Sequence, residues 1–138
     1  KNWILIKQVF YLHEQHLNKQ FSKFGLTASQ TFTLIYLFKS HDKGISVNQK
    51  DIEKELDISN PTVTGILNRL EVKGLITRVP CRHDARAKNI EVTEKALELD
   101  KQLRIVFQQS DEKLVESLSK EEIDNLQSYL IKILRSNS

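Results

Sequence analysis

Among 138 residues the chain has one cysteine, two prolines, four glycines and no methionine. A lone cysteine excludes an intrachain disulfide and suits the reducing cytoplasm, which is the expected location. So few helix breakers leave room for a mostly helical protein. No apolar run reaches the ~18 residues that a membrane-spanning helix requires, and no basic-then-apolar leader is visible. Because the chain opens on Lys1 rather than Met, a few residues are expected to have been trimmed. A large excess of one charge is also missing, the net being +3. What remains is a globular composition, 39% hydrophobic and 28% charged, of a length expected to form a single domain over residues 1–138.

The small net charge is unevenly spread. From Ile58 to Ile90 six basic residues (Arg69, Lys73, Arg78, Arg82, Arg86, Lys88) face two acids (Glu71, Asp84), giving +4, while the rest of the chain sums to −1. A local basic patch on a near-neutral protein marks a polyanion-binding face.

The periodicity predicts helices in sequence. The first runs roughly from Trp3 to Phe24 and has two apolar stripes. One follows Trp3, Ile6, Phe10, Leu17 and Phe24 with His13 on its line; the other follows Leu5, Val9 and Leu12 and leads to His16. Two stripes mean two surfaces to bury, one against the chain's own core and one against a partner subunit. Thr27 and Gln30 predict a capping box before an apolar core helix carrying Phe32, Leu34, Ile35, Tyr36, Leu37 and Phe38. Ser46 and Gln49 predict a second box, opening a short helix with Ile52 and Leu56 inward. Asp57-Ile58 turns the chain into a helix that starts at Ser59 or Asn60, has Pro61 in its first turn and stops at Gly74. Val63, Ile66, Leu67 and Leu70 form its inner face, with Thr62, Thr64, Gly65, Asn68 and Arg69 opposite. Two short helices with a tight turn, the second showing small polar residues and an Arg, form a helix-turn-helix. Short side chains let the backbone approach base edges, and Asn and Arg supply directed hydrogen bonds.

Two β-branched segments follow, Ile76-Thr77-Arg78-Val79 and Ile90-Glu91-Val92-Thr93. They predict a hairpin whose loop holds the ten residues from Pro80 to Asn89, with Asp84-Ala85-Arg86-Ala87-Lys88 at its tip. Such a basic finger suits a nucleic-acid backbone. Thr93 then caps a long helix with Ala96, Leu99, Leu103, Val106, Leu114 and Leu118 on one face, and Ser119 and Glu122 open a last helix carrying Ile123, Leu126, Leu130, Ile133 and Leu134. The expected class is mainly α with a small β-hairpin wing, a winged helix-turn-helix between helical arms.

The run Val47 to Leu56, then Ser59-Asn60-Pro61-Thr62-Val63-Thr64, then Arg69 to Ile76, resembles the winged helix-turn-helix of the multiple-antibiotic-resistance regulator (MarR) family. Asp84-Ala85-Arg86 is similar to that family's Asp-x-Arg wing motif, and Val92-Thr93-Glu94-Lys95-Ala96 to its Leu-Thr-x-x-Gly junction. The resemblance implies a homodimeric bacterial transcription regulator, a repressor in the favoured reading and an activator in the other. Its first and last helices would interlock between subunits (about 1–26 plus 97–138), and a DNA-binding lobe would occupy about 28–95. Carried over residue by residue, Asn60, Thr62, Thr64, Asn68 and Arg69 would enter the major groove of double-stranded DNA. Asp84, Arg86 and Lys88, with Arg82 nearby, would form the minor-groove wing, the Asp holding the Arg. Gly65 departs from the larger, often basic, residue of many relatives, so one contact is expected to be missing. Ala96 replaces the usual Gly. Peroxide-sensing relatives use a cysteine in the first helix; here the only cysteine is Cys81, so that mechanism does not transfer.

Other constellations are weaker. Cys81 and His83 lack a third group to orient them, so no enzyme is expected. His13 and His16 are three residues apart on one helix, but a metal needs further ligands, and neither metal nor cofactor is expected. They serve better as hydrogen-bonding groups at the subunit interface or in a mostly apolar effector pocket, where the first helix meets the core helix and the long helix after the wing. By analogy, the effector would be a small aromatic or phenolic compound. A winged-helix adaptor that binds protein instead of DNA is the alternative reading. An adaptor face should show exposed apolar surface, which the basic helix-and-wing segment does not.

Overall fold

A computed structural model describes residues 1–81 and 84–138; the side chains of residues 82–86 lie outside that description. The described elements run α1 (Asn2–Lys23), α2 (Ala28–Asp42), α3 (Gln49–Leu56), α4 (Asn60–Val72), β1 (Ile76–Cys81), β2 (Asp84–Val92), α5 (Glu94–Leu114) and α6 (Lys120–Ser136).

Local chemistry sets most boundaries. Thr27 and Gln30 cap α2 reciprocally, and Ser119 and Glu122 do the same for α6. Thr93 Oγ1 accepts from the Ala96 amide at the start of α5 and donates to the Gly74 carbonyl at 2.7 Å, which ties the wing exit to the end of α4. Gly74, at φ +74°, reverses the chain after α4 where a side chain would be strained. The cap of α3 differs from expectation. Asn48 and Asp51 form the box, each backbone N–H meeting the other's side chain at 2.9 Å. Val47 is buried and its carbonyl accepts from the Ile90 amide at 2.7 Å, so this stretch is extended against β2 and the helix starts later than Ser46 implies.

The hairpin also differs. Its antiparallel register runs from Ile76 opposite Val92 to Pro80 opposite Lys88, then shifts to Cys81 opposite Asp84. The ten-residue loop expected between short arms is therefore mostly strand, and Arg82 and His83 lie outside the described residues. Pro80 has no N–H to donate, and the register breaks beside it instead of the pairing ending there.

One core joins the elements. Phe21, Leu34, Ile52, Leu67, Leu70, Ile76 and Leu103 are fully buried. The Phe21 ring lies 6.1 Å from Phe32, edge to face, and 5.6 Å from Phe107, so it links α1, α2 and α5. Within α2 the expected apolar sequence is only partly inward: Phe32 is exposed, while Thr31 and Thr33 are buried. Both hydroxyls donate to carbonyls one turn back, those of Thr27 and Ser29, so neither is stranded. On α5, Ser110 is buried although the expected apolar stripe passed over it, and Leu114, one turn further along that stripe, is exposed. Of the first helix's two stripes Leu17 is buried and Phe24 half-buried, Phe21 is fully buried although it stands on neither, and Trp3, Leu5, Ile6, Val9, Phe10 and Leu12 are all exposed. Helix α6 buries no residue.

Candidate nucleic-acid interface

Helices α3 and α4 meet through a turn at Asp57, whose left-handed backbone (φ 52°) lets the Ile58 amide bond the Glu53 carbonyl. Pro61 occupies the first turn of α4, where a missing N–H costs nothing. Val63, Ile66, Leu67 and Leu70 are buried as the periodicity predicts. That burial presents Asn60, Thr62, Asn68 and Arg69 to solvent, with Thr64 and Gly65 half-exposed. The five candidate residues of this helix thus share one outward surface.

Four of the five, all but Arg69, have polar partners. Asn60 Nδ2 donates to Glu53 Oε2 at 3.0 Å. Gln49 Nε2 donates to Thr64 Oγ1 at 2.8 Å, and that hydroxyl donates to the Asn60 carbonyl at 2.9 Å. Thr62 and Ser59 share a hydroxyl contact of 2.9 Å. Arg78 on β1 donates from Nη2 to Asn68 Oδ1 at 2.8 Å, and its Nε lies 4.0 Å from Glu71. Helix α4 is therefore buttressed by α3 on one side and by the wing's first strand on the other. Gly65 leaves room for Arg69 to fold back, since a Cβ there would sit 3.2 Å from the Arg69 guanidinium.

The basic patch divides on inspection. Arg69 and Lys88 are exposed. Lys73 is tied to the Gly25 carbonyl and, at 2.9 Å, to Gln30 Oε1, which anchors α4 on the α1–α2 turn. Arg78 is engaged with α4. The candidate side chains of Arg82, Asp84 and Arg86 lie outside the described residues; the backbone of Asp84 and Arg86 belongs to β2. Sequence reasoning missed Gln49, Glu53 and Arg78 as supports. A signal existed for Arg78. It falls two residues after buried Ile76, on the inward face of the strand, where a charge needs a partner.

A family model of the MarR family matches residues 24–87, from the end of α1 into β2. Staphylococcus aureus MepR, described as a transcription regulator of the multidrug efflux pump MepA, is 30% identical with a TM-score of 0.88, over 100% of this chain and 99% of that one. The chain belongs to the MarR family. Its fold is that of a winged-helix regulator. The MepR–DNA complex is 32% identical with a TM-score of 0.78, over 99% of this chain and 98% of its own. Wild-type MarR from E. coli, at 24% identity and a TM-score of 0.81, covers 97% of each chain and shares the fold.

Away from the α4 surface, a cleft of about 600 Å³ opens between α2 and α5. Phe32, Ile35, Phe38, Leu103 and Phe107 form its apolar wall, and Lys39, Asp42, Asp100 and Arg104 its polar one. Arg104 bridges Asp42 at 3.1 Å and Asp100 at 3.2 Å. His13 and His16, the candidate effector residues, are half-buried on α1 and do not line this cleft. His16 is held below the ordinary histidine range, first by burial, then by Lys113, His13, Lys23 and Lys19. No group of three His, Cys, Asp or Glu residues suited to a metal occurs among the described residues, and no described helix is long and apolar enough to cross a membrane.

Proposed function

We propose that this chain represses transcription by binding duplex DNA as a homodimer, on a pseudo-palindromic operator with half-site centres about one helical turn (~34 Å) apart. The observation that carries the reading is the outward row of Asn60, Thr62, Thr64, Asn68 and Arg69 on a helix rigidly backed by α3 and β1. A rigid helix with short polar side chains suits base-edge recognition in the major groove. Residues 28–95 form the DNA-binding lobe in this reading, and α1, α5 and α6 the dimerisation lobe. Most of the large exposed apolar side chains gather on α1 and α6, with Val72 the one exception on α4, which favours dimerisation through the arms over a protein-binding adaptor face. The solved MepR–DNA complex supports the same assignment.

Fluorescence anisotropy on mixed and operator-containing duplexes tests the reading. Binding should fall steeply as salt rises, because neutralised phosphates release counterions. Salt-insensitive binding, or none to a genomic fragment library, refutes it. Arg86→Ala should weaken binding by ~1–3 kcal/mol with the fold intact, more on operators with A/T-rich flanks whose narrow minor groove attracts Arg. Asp84→Ala should weaken binding as well, although it removes a negative charge near DNA. Tighter binding by that variant would refute the orienting role of Asp84.

A small aromatic or phenolic effector would suit the cleft between α2 and α5, where an apolar wall carries a few polar groups, or the junction of that cleft with α1, where His13 and His16 lie. It would act by preferring a dimer whose recognition helices are misspaced for successive grooves. Aromatic acids titrated into the DNA complex should release it. An unaltered response in the His13→Ala/His16→Ala double variant would remove both histidines from the site.

A further inference from the structure

The α4 row has two asparagines, Asn60 and Asn68, and each is held by a partner of a single hydrogen-bonding polarity. A guanidinium can only donate, so Arg78 must face the Asn68 carbonyl oxygen, as its 2.8 Å contact records. An ionised carboxylate can only accept, so Glu53 must face the Asn60 amide nitrogen, 3.0 Å away. The chemistry of the partners, and not a choice between two similar atoms, settles which way each amide points. Arg78 is itself constrained: its side chain is 24% exposed, and its Nε sits beside Glu71, one turn along α4 from Asn68. The two clamps come from different elements, α3 and β1, and turn their asparagines in opposite senses.

We propose that Arg78 and Glu53 are positioning residues that set the base preference of the recognition helix. Asn68 presents its amide N–H₂ as a donor, and Asn60 presents its carbonyl oxygen as an acceptor. Asparagine commonly reads adenine through two bonds, to N6 and N7 together. That contact needs both amide atoms to face one base edge, and each clamp occupies one of the two hydrogen-bonding positions of one atom and holds that atom toward a protein partner. Asn68 is therefore directed to guanine, whose O6 and N7 offer two adjacent acceptors and no donor. Asn60 is directed to an exocyclic amino group, that of cytosine or adenine. The inference rests on the DNA-binding reading and deepens it, from contact by these residues to the polarity of each contact.

The test is selection from a randomised duplex library by the full-length protein, wild type against Arg78→Ala, Arg78→Lys, Asn68→Asp and Glu53→Gln, with circular dichroism as the folding control. Wild type should select guanine at two symmetry-related positions. Arg78→Ala frees the amide to rotate, so that preference should fall roughly tenfold with a gain for adenine, the rest of the operator being unchanged. Arg78→Lys still only donates and should restore part of the preference, which a merely structural role does not predict. Asn68→Asp offers only acceptors and should convert guanine to cytosine at the same positions. Glu53→Gln can pair with either amide atom and should broaden selection at the positions read by Asn60 alone. Unchanged base preference in folded Arg78→Ala, or guanine retained by Asn68→Asp, overturns the proposal while leaving DNA binding intact. Should Arg78→Ala not fold, Asn68→Asp decides, because residue 68 is on the exposed face. A wild-type protein that selects no sequence refutes the DNA reading, and this inference falls with it.

Discussion

A chain shortened by residues 124–138 is expected to be insoluble or unfolded at concentrations where the intact protein is a soluble dimer. The deletion removes Leu126, Leu130, Ile131, Ile133 and Leu134 from α6, a helix that buries nothing within its own subunit. The matching surface on α1 is as open: Trp3 is 66% exposed, Phe10 64% and Leu12 65%. Soluble monomers rarely expose a contiguous apolar patch beyond a few hundred Å². A self-complementary surface repeated on two subunits can bury both patches at once. Sedimentation of the intact protein should show a dimer with no folded monomer on dilution. A well-folded, monodisperse monomer after the truncation would show that the arms are not the interface.

Phe21→Ala is expected to destabilise the protein by roughly 3–5 kcal/mol, the range for emptying a fully buried aromatic site. Phe21 is 0% exposed and its ring meets both Phe32 and Phe107, so the void would open where three helices converge. Those neighbours are large and held by their own helices, so little collapse into the space is possible. The loss should be measured by denaturant titration at fixed protein concentration, because dimer formation contributes to apparent stability. Phe21→Leu should cost less than half as much. A change below about 1 kcal/mol for the alanine variant would show that α1 is seated by the partner subunit instead of by this core.

Several features were legible because their causes are local. A hydroxyl followed three residues later by Gln or Glu at the head of an apolar run marks a helix start where no tertiary pairing competes, and Thr27 and Ser119 obeyed that rule. The inner face of α4 followed from the 3.6-residue period alone. Asn48 was missed because the extended pairing of Val47 with β2 delays α3, and that pairing joins residues 43 apart in sequence. The wing was read as too short because Pro80 signals a break, whereas a two-stranded ladder tolerates a missing donor at an edge. Thr31, Thr33 and Ser110 in the interior have no pattern that separates them from surface hydroxyls; neighbouring helices cover them.

Composition, period and capping residues thus determined the order of the helices, the helix-turn-helix and the surface that α4 turns outward. Each depends on residues within one or two helical turns of one another. The extent of the wing, the open apolar arms and the clamps on Asn60, Thr64 and Asn68 came from the three-dimensional packing. A clamp requires a donor and an acceptor on different elements to arrive within 3 Å with matched direction. No periodicity encodes that meeting, because the geometry of α3, α4 and β1 must exist before Gln49, Glu53 and Arg78 have anything to hold.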